Sequence, residues 1–312
     1  MGIVVIGAVF VDIKGYPEAG YVPTGRNAGR IEQVHGGVGR NAAEDIANCE
    51  LRPTFISLVD QSAAGAEVIQ KLKNHKVNTS YMRAMESGMG TWLAVFDNAG
   101  DVSASVSQRP DLSPIAEILD RQGDEIFAQA DSILIEIDLD KETVKRVFSL
   151  AKKHHKKVFA MVSNMNIALG RRDFLKSADC FICNQQEFGI LCSDDYTGKS
   201  PEELMKILAH RVPAAGIPSM IVTMGSQGAV FADRQGNQGW CPARKVQVKD
   251  TTGAGDAFSA GAAIGLTYGK TLPEACDIGS MLAASVIATT ENVCPRFQPG
   301  ELGLSLEVPA DV

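Results

Sequence analysis

Short apolar runs alternate with amphipathic stretches along most of the chain. The apolar runs are typical of buried strands, and they predict strands at residues 55–59, 133–136, 158–162, 180–183, 220–224 and 229–232. Apolar positions three and four residues apart predict helices at residues 63–75, 141–154, 185–192, 201–211, 254–268 and 273–289. This alternation predicts an α/β fold with a mostly parallel sheet and helices on both of its faces.

The first part of the chain departs from this alternation. Residues 3–11 form one continuous apolar run that predicts a buried strand, and Asp12 closes it. A polar residue at the carboxyl end of such a strand commonly faces the site crevice, so Asp12 is a candidate site residue. Short β-like pieces within residues 14–35 and an alternating hairpin at residues 91–107, with its turn at 97–100, predict a small accessory sheet.

The composition is that of a globular protein and argues against several classes. Of the 312 residues, 45% are hydrophobic and 21% are charged, which is enough apolar surface for a sizeable core. The net charge of −7 argues against a nucleic-acid-binding protein, and no apolar run reaches the roughly 18 residues that a membrane span needs. The N-terminus lacks a signal-peptide pattern and the seven cysteines are scattered, so we expect a cytoplasmic protein.

Residues 250–261 (Asp-Thr-Thr-Gly-Ala-Gly-Asp-Ala-Phe-Ser-Ala-Gly) carry the strongest candidate chemistry. A helix that begins near Gly253 would present free N–H groups and a positive dipole end to an anion. Asp256 would lie in the first helical turn beside that anion, where a carboxylate suits proton abstraction from an attacking hydroxyl. A glycine turn followed by an Asp that merely favours the helix N-terminus is the alternative.

A second glycine-rich stretch, residues 36–41 (Gly-Gly-Val-Gly-Arg-Asn), precedes a predicted helix. Its glycines permit close approach of the backbone to a ligand. Asn41 supplies two donors and an acceptor, which suit vicinal hydroxyls. A turn in which Asn41 caps the following helix is the alternative.

Other motifs fail on inspection. Residues 197–200 (Thr-Gly-Lys-Ser) resemble the end of a Walker A loop, but residue 193 is Ser rather than Gly. The pair Gly253 and Gly255 lacks the third glycine of a dinucleotide fingerprint, because residue 258 is Phe. Cys180 and Cys183 form a Cys-x-x-Cys, but a strand would point them to opposite faces, which disfavours a zinc or redox site.

Together, the two glycine-rich stretches resemble the signatures of the ribokinase-like, or PfkB, family of carbohydrate kinases. Residues 36–43 are similar to the N-terminal signature, and residues 250–261 are similar to the C-terminal one, in the order that the family requires. Residues 184–187 (Asn-Gln-Gln-Glu) and 223–228 (Thr-Met-Gly-Ser-Gln-Gly) resemble further family landmarks. The resemblance therefore covers essentially the whole chain.

The resemblance implies one ribokinase-like domain over residues 1–312. It would comprise a Rossmann-like α/β core and a small β-sheet lid formed mainly by residues 12–35 and 90–108. Such a lid would exclude water, which otherwise competes as the acceptor. A lid sheet with exposed edges often pairs between subunits, so we expect a homodimer through the lid.

The resemblance also implies transfer of the ATP γ-phosphate to a sugar hydroxyl, with Mg²⁺ bridging phosphate oxygens. Asp256 would be the base. The anion hole would be formed by the backbone amides of Gly253, Ala254 and Gly255. Substrate hydroxyls would be held by Asp12, Gly37 and Asn41.

The nucleotide side is implied in the same way. The nucleotide would be bound by Asn184, Thr223, Gly225 and Gly228, and Glu187 would act near Mg²⁺ through water. Asp250 and Thr252 match positions that hold a monovalent cation such as K⁺ in some members, and turn residues are the alternative. Ser163 falls where many relatives carry an Asp, and a hydroxyl cannot replace that carboxylate.

Val38, Arg40 and Glu44 complete a narrower signature that resembles pseudouridine kinases, as do residues 93–100. The resemblance therefore favours the 5′-hydroxyl of pseudouridine or a related ribosyl compound as the phosphate acceptor. A surface cation on the first helix is the alternative interpretation of Arg40. A ribokinase- or fructokinase-type kinase of a free sugar, a non-catalytic sugar-binding regulator on the same fold and an NAD-dependent oxidoreductase are alternative functions.

Overall fold

The computed structural model describes residues 2–98 and 102–305. Its strands, in chain order, are β1 (Val4–Ile6), β2 (Phe10–Pro17), β3 (Gly29–Gly36), β4 (Thr54–Val59), β5 (Met82–Ala84), β6 (Gly90–Phe96), β7 (Val102–Gln108), β8 (Ser132–Glu136), β9 (Lys157–Met161), β10 (Cys180–Asn184), β11 (Ser219–Thr223), β12 (Ala229–Asp233) and β13 (Gln238–Cys241). Its α-helices are α1 (Val38–Asn48), α2 (Ala63–Asn74), α3 (Ile115–Gln129), α4 (Lys141–Lys153), α5 (Met165–Ala168), α6 (Arg172–Leu175), α7 (Gln185–Cys192), α8 (Pro201–Ala215), α9 (Ala254–Thr267) and α10 (Leu272–Ile287).

The strands form two sheets. The large sheet has nine strands in the order β13-β12-β11-β10-β9-β8-β1-β4-β5, and only β12 and β13 run antiparallel to their neighbours among its described pairs. The small sheet has four strands in the order β3-β2-β6-β7. The predicted α/β architecture with a second, smaller sheet is therefore confirmed.

Helices cover both faces of the large sheet because successive strand residues point to opposite sides. Val4 and Ile6 pack with apolar residues of α3, α4 and α8 on one face. Ile3 and Val5 pack with apolar residues of α1, α2, α9 and α10 on the other. The apolar runs are thus buried on both sides, as expected for parallel strands.

The predicted strand over residues 3–11 is wrong in one respect, because the run is divided between the two sheets. The chain leaves the large sheet after Ile6 and enters the small sheet at Phe10. The carboxylate of Glu136, at the end of β8, accepts hydrogen bonds from the amides of Ala8 and Gly39. Because the amide of Ala8 is used by a side chain, strand pairing is interrupted there, and Asp12 lies inside a strand of the small sheet.

The small sheet was only partly predicted. Residues 14–35 contain most of two well-paired antiparallel strands, β2 and β3, rather than isolated β pieces. The hairpin of β6 and β7 is confirmed, although residues 99–100 of its predicted turn lie outside the described residues. β5, β13 and α3 were not predicted. β13 is a short edge strand with the sequence Gln-Gly-Trp-Cys and no apolar run to indicate it.

Three features of the described residues concern membrane spans, the two cysteines of the Cys-x-x-Cys and metal-binding groups. In that part of the molecule, no helix has both the length and the apolar character needed to cross a membrane. Cys183 packs into the core on one face of the large sheet and Cys180 into the core on the other, as the strand alternation predicted. Residues 2–98 and 102–305 contain no group of three or more His, Cys, Asp or Glu side chains that could hold a metal ion.

Candidate active site

The predicted anion-binding turn lies at the N-terminus of α9. Gly253 is the N-cap residue and has a φ of 83°, in the left-handed region that favours glycine. A Cβ at this position would lie 2.1 Å from the carbonyl oxygen of Asn292, so the backbone there is both unusual in conformation and closely packed. No described side chain caps this helix end. Its N–H groups are therefore available to an anion, although the amide of Ala254 also lies 3.3 Å from the carbonyl oxygen of Thr251.

Asp256 is in the first turn of α9 and is held by a residue from the other signature. The side-chain amide of Asn41, on α1, donates to Oδ2 of Asp256 at 2.6 Å. Burial raises the pKa of Asp256 to about 7, although the Asn41 hydrogen bond and the charge of Arg40 oppose the shift. Oδ1 of Asn41 is buried and has no hydrogen-bond partner among the described residues. The structure thus brings a carboxylate with a near-neutral pKa and an unused acceptor to one place.

Asp12 and Gly37 lie at the boundary between the small sheet and α1. Asp12 is only 7% exposed, and burial raises its pKa to about 6 against the opposing charges of Arg40 and Lys14. Gly37 has a φ of 100°, and a Cβ there would lie 2.6 Å from the carbonyl oxygen of Ala8. The backbone crosses closely at this point, which only glycine permits.

A cavity of about 220 Å³ adjoins the N-terminus of α9. Its lining includes Asp256, Gly255, Asn184, Glu187 and Thr223. Asn184 and Thr223 are neighbours across β10 and β11, so the carboxyl ends of two parallel strands open into it. This is the edge at which open α/β sheets bind ligands.

Asn184 and Glu187 also bind each other. Oδ1 of Asn184 accepts the amide of Glu187 at 2.8 Å, and one carboxylate oxygen of Glu187 accepts the amide of Asn184 at 2.7 Å. This is a capping box that starts α7. Burial raises the pKa of Glu187 to about 6, opposed by the hydrogen bond from Asn184. The box fixes both side chains at the cavity wall.

Gly225 and Gly228 lie in the turn that connects β11 with β12. They follow Thr223 along the chain, and the turn closes through a hydrogen bond from the amide of Gly228 to the carbonyl oxygen of Gly225. The amide of Met224 in turn donates to the carbonyl oxygen of Gly228 at 2.7 Å. The turn is thus a compact extension of the strand end that carries Thr223.

A carboxylate from a different strand end lies beside Ser163. Asp138, two residues beyond β8, accepts hydrogen bonds from the hydroxyl and the amide of Ser163 at 2.8 and 3.0 Å. It also forms an ion pair with Arg109, which follows β7 of the small sheet, at 2.8 Å. Neither Asp138 nor Arg109 was predicted from the sequence as a site residue. The polar residues that follow the apolar run at 133–136 were the available signal for Asp138.

Arg40 and Glu44 form a buried ion pair, so the interpretation of Arg40 as a surface cation is wrong. Each side chain is 1% exposed. Arg40 also donates to the carbonyl oxygen of His35 and to Oδ1 of Asn292. Asn292 donates to the same His35 oxygen at 2.7 Å. The pair therefore ties the end of β3 to the loop that packs against Gly253, and its polar atoms are directed into the protein.

Asp250 and Thr252 are turn residues in contact with a lysine. Nζ of Lys14, on β2, lies 3.4 Å from Oδ2 of Asp250 and 3.3 Å from Oγ1 of Thr252. Oδ1 of Asp250 accepts the amide of Thr252 at 2.8 Å. Lys14 was not predicted from the sequence as a site residue.

One face of the small sheet carries Asp12, Lys14 and a group of aromatic side chains. Trp92 is the strand neighbour of Asp12, and strand alternation places Tyr16 and Phe96 on the same face. Tyr16 stacks on Phe96 with ring centroids 5.0 Å apart, and Trp92 contacts Phe96 edge-on at 6.3 Å. An aromatic surface beside a buried carboxylate suits a ligand with both a flat ring and hydroxyl groups.

Comparison with known proteins identifies the family of this chain. Residues 2–294 match the family described as pfkB family carbohydrate kinase. Guanosine-inosine kinase of Exiguobacterium acetylicum is 36% identical over 292 residues, which cover 93% of this chain and 95% of that protein. Pseudouridine kinase of Escherichia coli (strain K12) is 25% identical, with 84% of this chain and 82% of that protein covered.

The fold agrees with solved structures. A structure of Arabidopsis thaliana ribokinase complexed with ribose and ATP has a TM-score of 0.80, with 21% identity, and covers 98% of this chain and 99% of that one. This likeness shows the ribokinase-like fold. Together with the family match, it identifies the chain as a phosphotransferase that acts on a hydroxyl group. The protein belongs to the pfkB family of carbohydrate kinases.

Proposed function

We propose that the protein is an ATP-dependent nucleoside kinase that phosphorylates the 5′-hydroxyl of a ribonucleoside. The observation that carries the proposal is the pair of Asp256 and Asn41 at the open N-terminus of α9. These groups provide a base with a pKa near neutrality, an unused acceptor and free helix amides. Together they suit a reaction in which a hydroxyl attacks a phosphate.

In the proposed reaction, the substrate hydroxyl gives its proton to Asp256 as its oxygen attacks the γ-phosphorus. The bond from the γ-phosphorus to the bridging oxygen breaks, and ADP leaves. The negative charge of the transferred group is stabilised by the backbone amides of Gly253, Ala254 and Gly255. The hydrogen bond from Asn41 orients the carboxylate of Asp256 before the substrate arrives.

The remaining substrate hydroxyls would be bound from the small-sheet side. Asp12 offers a buried carboxylate, and Oδ1 of Asn41 is an acceptor without a described partner. Gly37 permits the backbone to approach the sugar closely. The small sheet would act as a lid over this position, since water would otherwise compete with the substrate hydroxyl.

The nucleotide would occupy the adjoining cavity, with Asn184 and Thr223 at its wall and Gly225 and Gly228 in the turn beyond. Glu187 fits a hydrated Mg²⁺, because Mg²⁺ usually takes one or two protein carboxylates with waters and phosphate oxygens. The capping box holds one oxygen of Glu187 and so fixes the carboxylate at the cavity wall. When bound, Mg²⁺ would neutralise charge on the phosphate oxygens.

The aromatic face of the small sheet favours a nucleoside over a free sugar. Trp92 lies beside Asp12, so a base attached to the bound ribose would meet its ring. Guanosine and inosine are the first candidates, because the relative named for them is 36% identical over nearly the whole chain. Pseudouridine is the second candidate. Arg40 and Glu44, on which its signature depends, are buried in an ion pair and offer the substrate no free group.

A coupled ADP-release assay over guanosine, inosine, pseudouridine, ribose and fructose tests the substrate class. We expect the highest kcat/KM for a ribonucleoside. Replacing Trp92 with Ala should raise the KM for that nucleoside about 5- to 100-fold and leave the KM for ribose unchanged, because base stacking contributes about 1–3 kcal/mol.

Trp240 provides a control on the nucleotide side, because it is 45% exposed on β13 and its indole N–H donates to the carbonyl oxygen of Gln227, in the turn of Gly225 and Gly228. Trp240→Ala should leave the KM for the nucleoside unchanged. Better turnover of ribose or fructose than of every nucleoside would contradict the proposed substrate class.

We also propose that two copies associate through the outer face of the small sheet. That face carries Ile31, Leu93 and Val106, which are 77%, 44% and 69% exposed, and Leu93 and Val106 are strand neighbours. Leu93→Glu should convert a dimer to a monomer in light scattering after size exclusion. Val248→Glu is the control, since Val248 is 60% exposed but lies outside the sheet. A monomeric wild-type protein would contradict this proposal.

A further inference from the structure

Lys14 is a buried lysine that the proposed reaction does not use. Its side chain is 3% exposed, although it originates in the middle of β2. It extends from the small sheet to the turn that precedes Gly253, where its ammonium lies 3.4 Å from Oδ2 of Asp250 and 3.3 Å from Oγ1 of Thr252. A buried ammonium needs such partners, because desolvation otherwise disfavours its charge.

The turn of residues 250–252 also requires a positive charge beside Asp250. Oδ1 of Asp250 accepts a hydrogen bond from the amide of Thr252 at 2.8 Å, and Oδ2 lies 3.4 Å from Nζ of Lys14. The Asp250 side chain is only 23% exposed, so its charge needs a partner. Lys14, a residue of the chain itself, supplies that partner.

These contacts do not fit a dissolved monovalent cation bound by Asp250 and Thr252. The oxygen atoms that would coordinate it face an ammonium group, which would repel a second cation at the same place. An ammonium ion and K⁺ carry the same charge, and a lysine side chain delivers that charge without a binding equilibrium.

We propose that Lys14 is a built-in replacement for a monovalent cation at the turn of residues 250–252. Its ammonium holds Asp250 in place and thereby orders the turn that leads into the anion-binding residues. Phosphate transfer by this protein is consequently independent of K⁺. The part of the proposal that concerns catalysis rests on the proposed function, whereas the part that concerns cation binding does not.

The test compares wild type, Lys14→Met and Lys14→Arg in KCl and in tetramethylammonium chloride at equal ionic strength. The first measurement is the thermal unfolding midpoint without substrates, which reports cation binding whatever the reaction is. The midpoints of wild type and Lys14→Arg should be equal in both salts, and that of Lys14→Met should be higher in KCl. This readout stands even if the proposed substrates are wrong.

The second measurement is kcat/KM for the best substrate. Wild type should change less than about twofold between the salts, and Lys14→Met should lose about tenfold or more in tetramethylammonium and regain most of it in KCl. The variant Asp250→Asn, which removes the need for a cation, should show no response to K⁺ in either measurement. If Lys14→Met does not fold, Lys14→Gln takes its place, with the same expected response to K⁺.

Three results would overturn the proposal. They are stabilisation or activation of wild type by K⁺, a Lys14→Met variant that K⁺ neither stabilises nor rescues, and a response of Asp250→Asn to K⁺ that equals that of Lys14→Met.

Discussion

Replacing Asp256 with Asn is expected to lower kcat/KM by about 10²–10⁴-fold, because a positioned base typically contributes that factor. The amide has nearly the shape of the carboxylate and can still contact Asn41, so the fold and the KM for ATP should be unchanged. Steady-state kinetics and the thermal unfolding midpoint together check both statements. Equal kcat/KM for the variant and wild type would remove Asp256 from the mechanism.

The pH dependence of kcat/KM for wild type and for Asp256→Asn distinguishes a catalytic base at residue 256 from a structural carboxylate. The pKa of Asp256 is raised to about 7, so its proton-accepting form is lost as the pH falls through 7. The kcat/KM of wild type, which reports the free enzyme, should therefore level off above about pH 7 and fall about tenfold per pH unit just below it. The fall should be steeper below about pH 6, where Asp12 and Glu187, whose pKa values are raised to about 6, also gain protons. The residual activity of Asp256→Asn should lack the step at about pH 7. A wild-type profile that is level between pH 5 and 8 would contradict the role of Asp256.

The second large effect is expected for Gly253→Ala. A Cβ on this residue would lie 2.1 Å from the carbonyl oxygen of Asn292, so the turn must move. Displacing an amide donor from a developing charge costs about 10²–10³-fold in kcat. A left-handed conformation costs a residue with a Cβ about 1–2 kcal/mol in addition, which lowers the free energy of unfolding.

Gly269 provides the control for backbone strain alone. Its φ of 82° matches that of Gly253, but no described atom lies within 4 Å of a Cβ built there. Gly269→Ala should lose about 1 kcal/mol of stability in denaturant titration and keep its kcat. If kcat falls by the same factor in both variants, the close packing of Gly253 against Asn292 does not contribute to catalysis.

The sequence predicted best those features that depend on local pattern. The helix at Ala254 and the strand that ends at Asn184 follow from apolar periodicity and glycine chemistry, which operate within a few residues. The contact between Asn41 and Asp256 joins two signatures far apart in the chain, and only the family resemblance indicated that they serve one site. The roles of these residues remain predictions.

The features that escaped prediction depend on long-range contacts between charged groups. Arginine is usually found at the surface, and the residues next to Arg40 in the sequence do not indicate that Asn292 will contact its side chain. Lys14 and Arg109 are ordinary cations until the small sheet brings them to Asp250 and Asp138. A charge pair of this kind has no periodicity, so the pattern along the chain contains no signal for it.

The carboxylate of Glu136 has a mechanical consequence. It binds the amide of Ala8, in the connection from β1 to β2, and the amide of Gly39, in the first turn of α1 just after β3. Both segments are thus fixed at one point, so the small sheet is expected to rotate about this hinge rather than slide. Displacement then grows with distance from the hinge, so the far ends of β2 and β3, at Pro17 and Gly29, are expected to have the longest path.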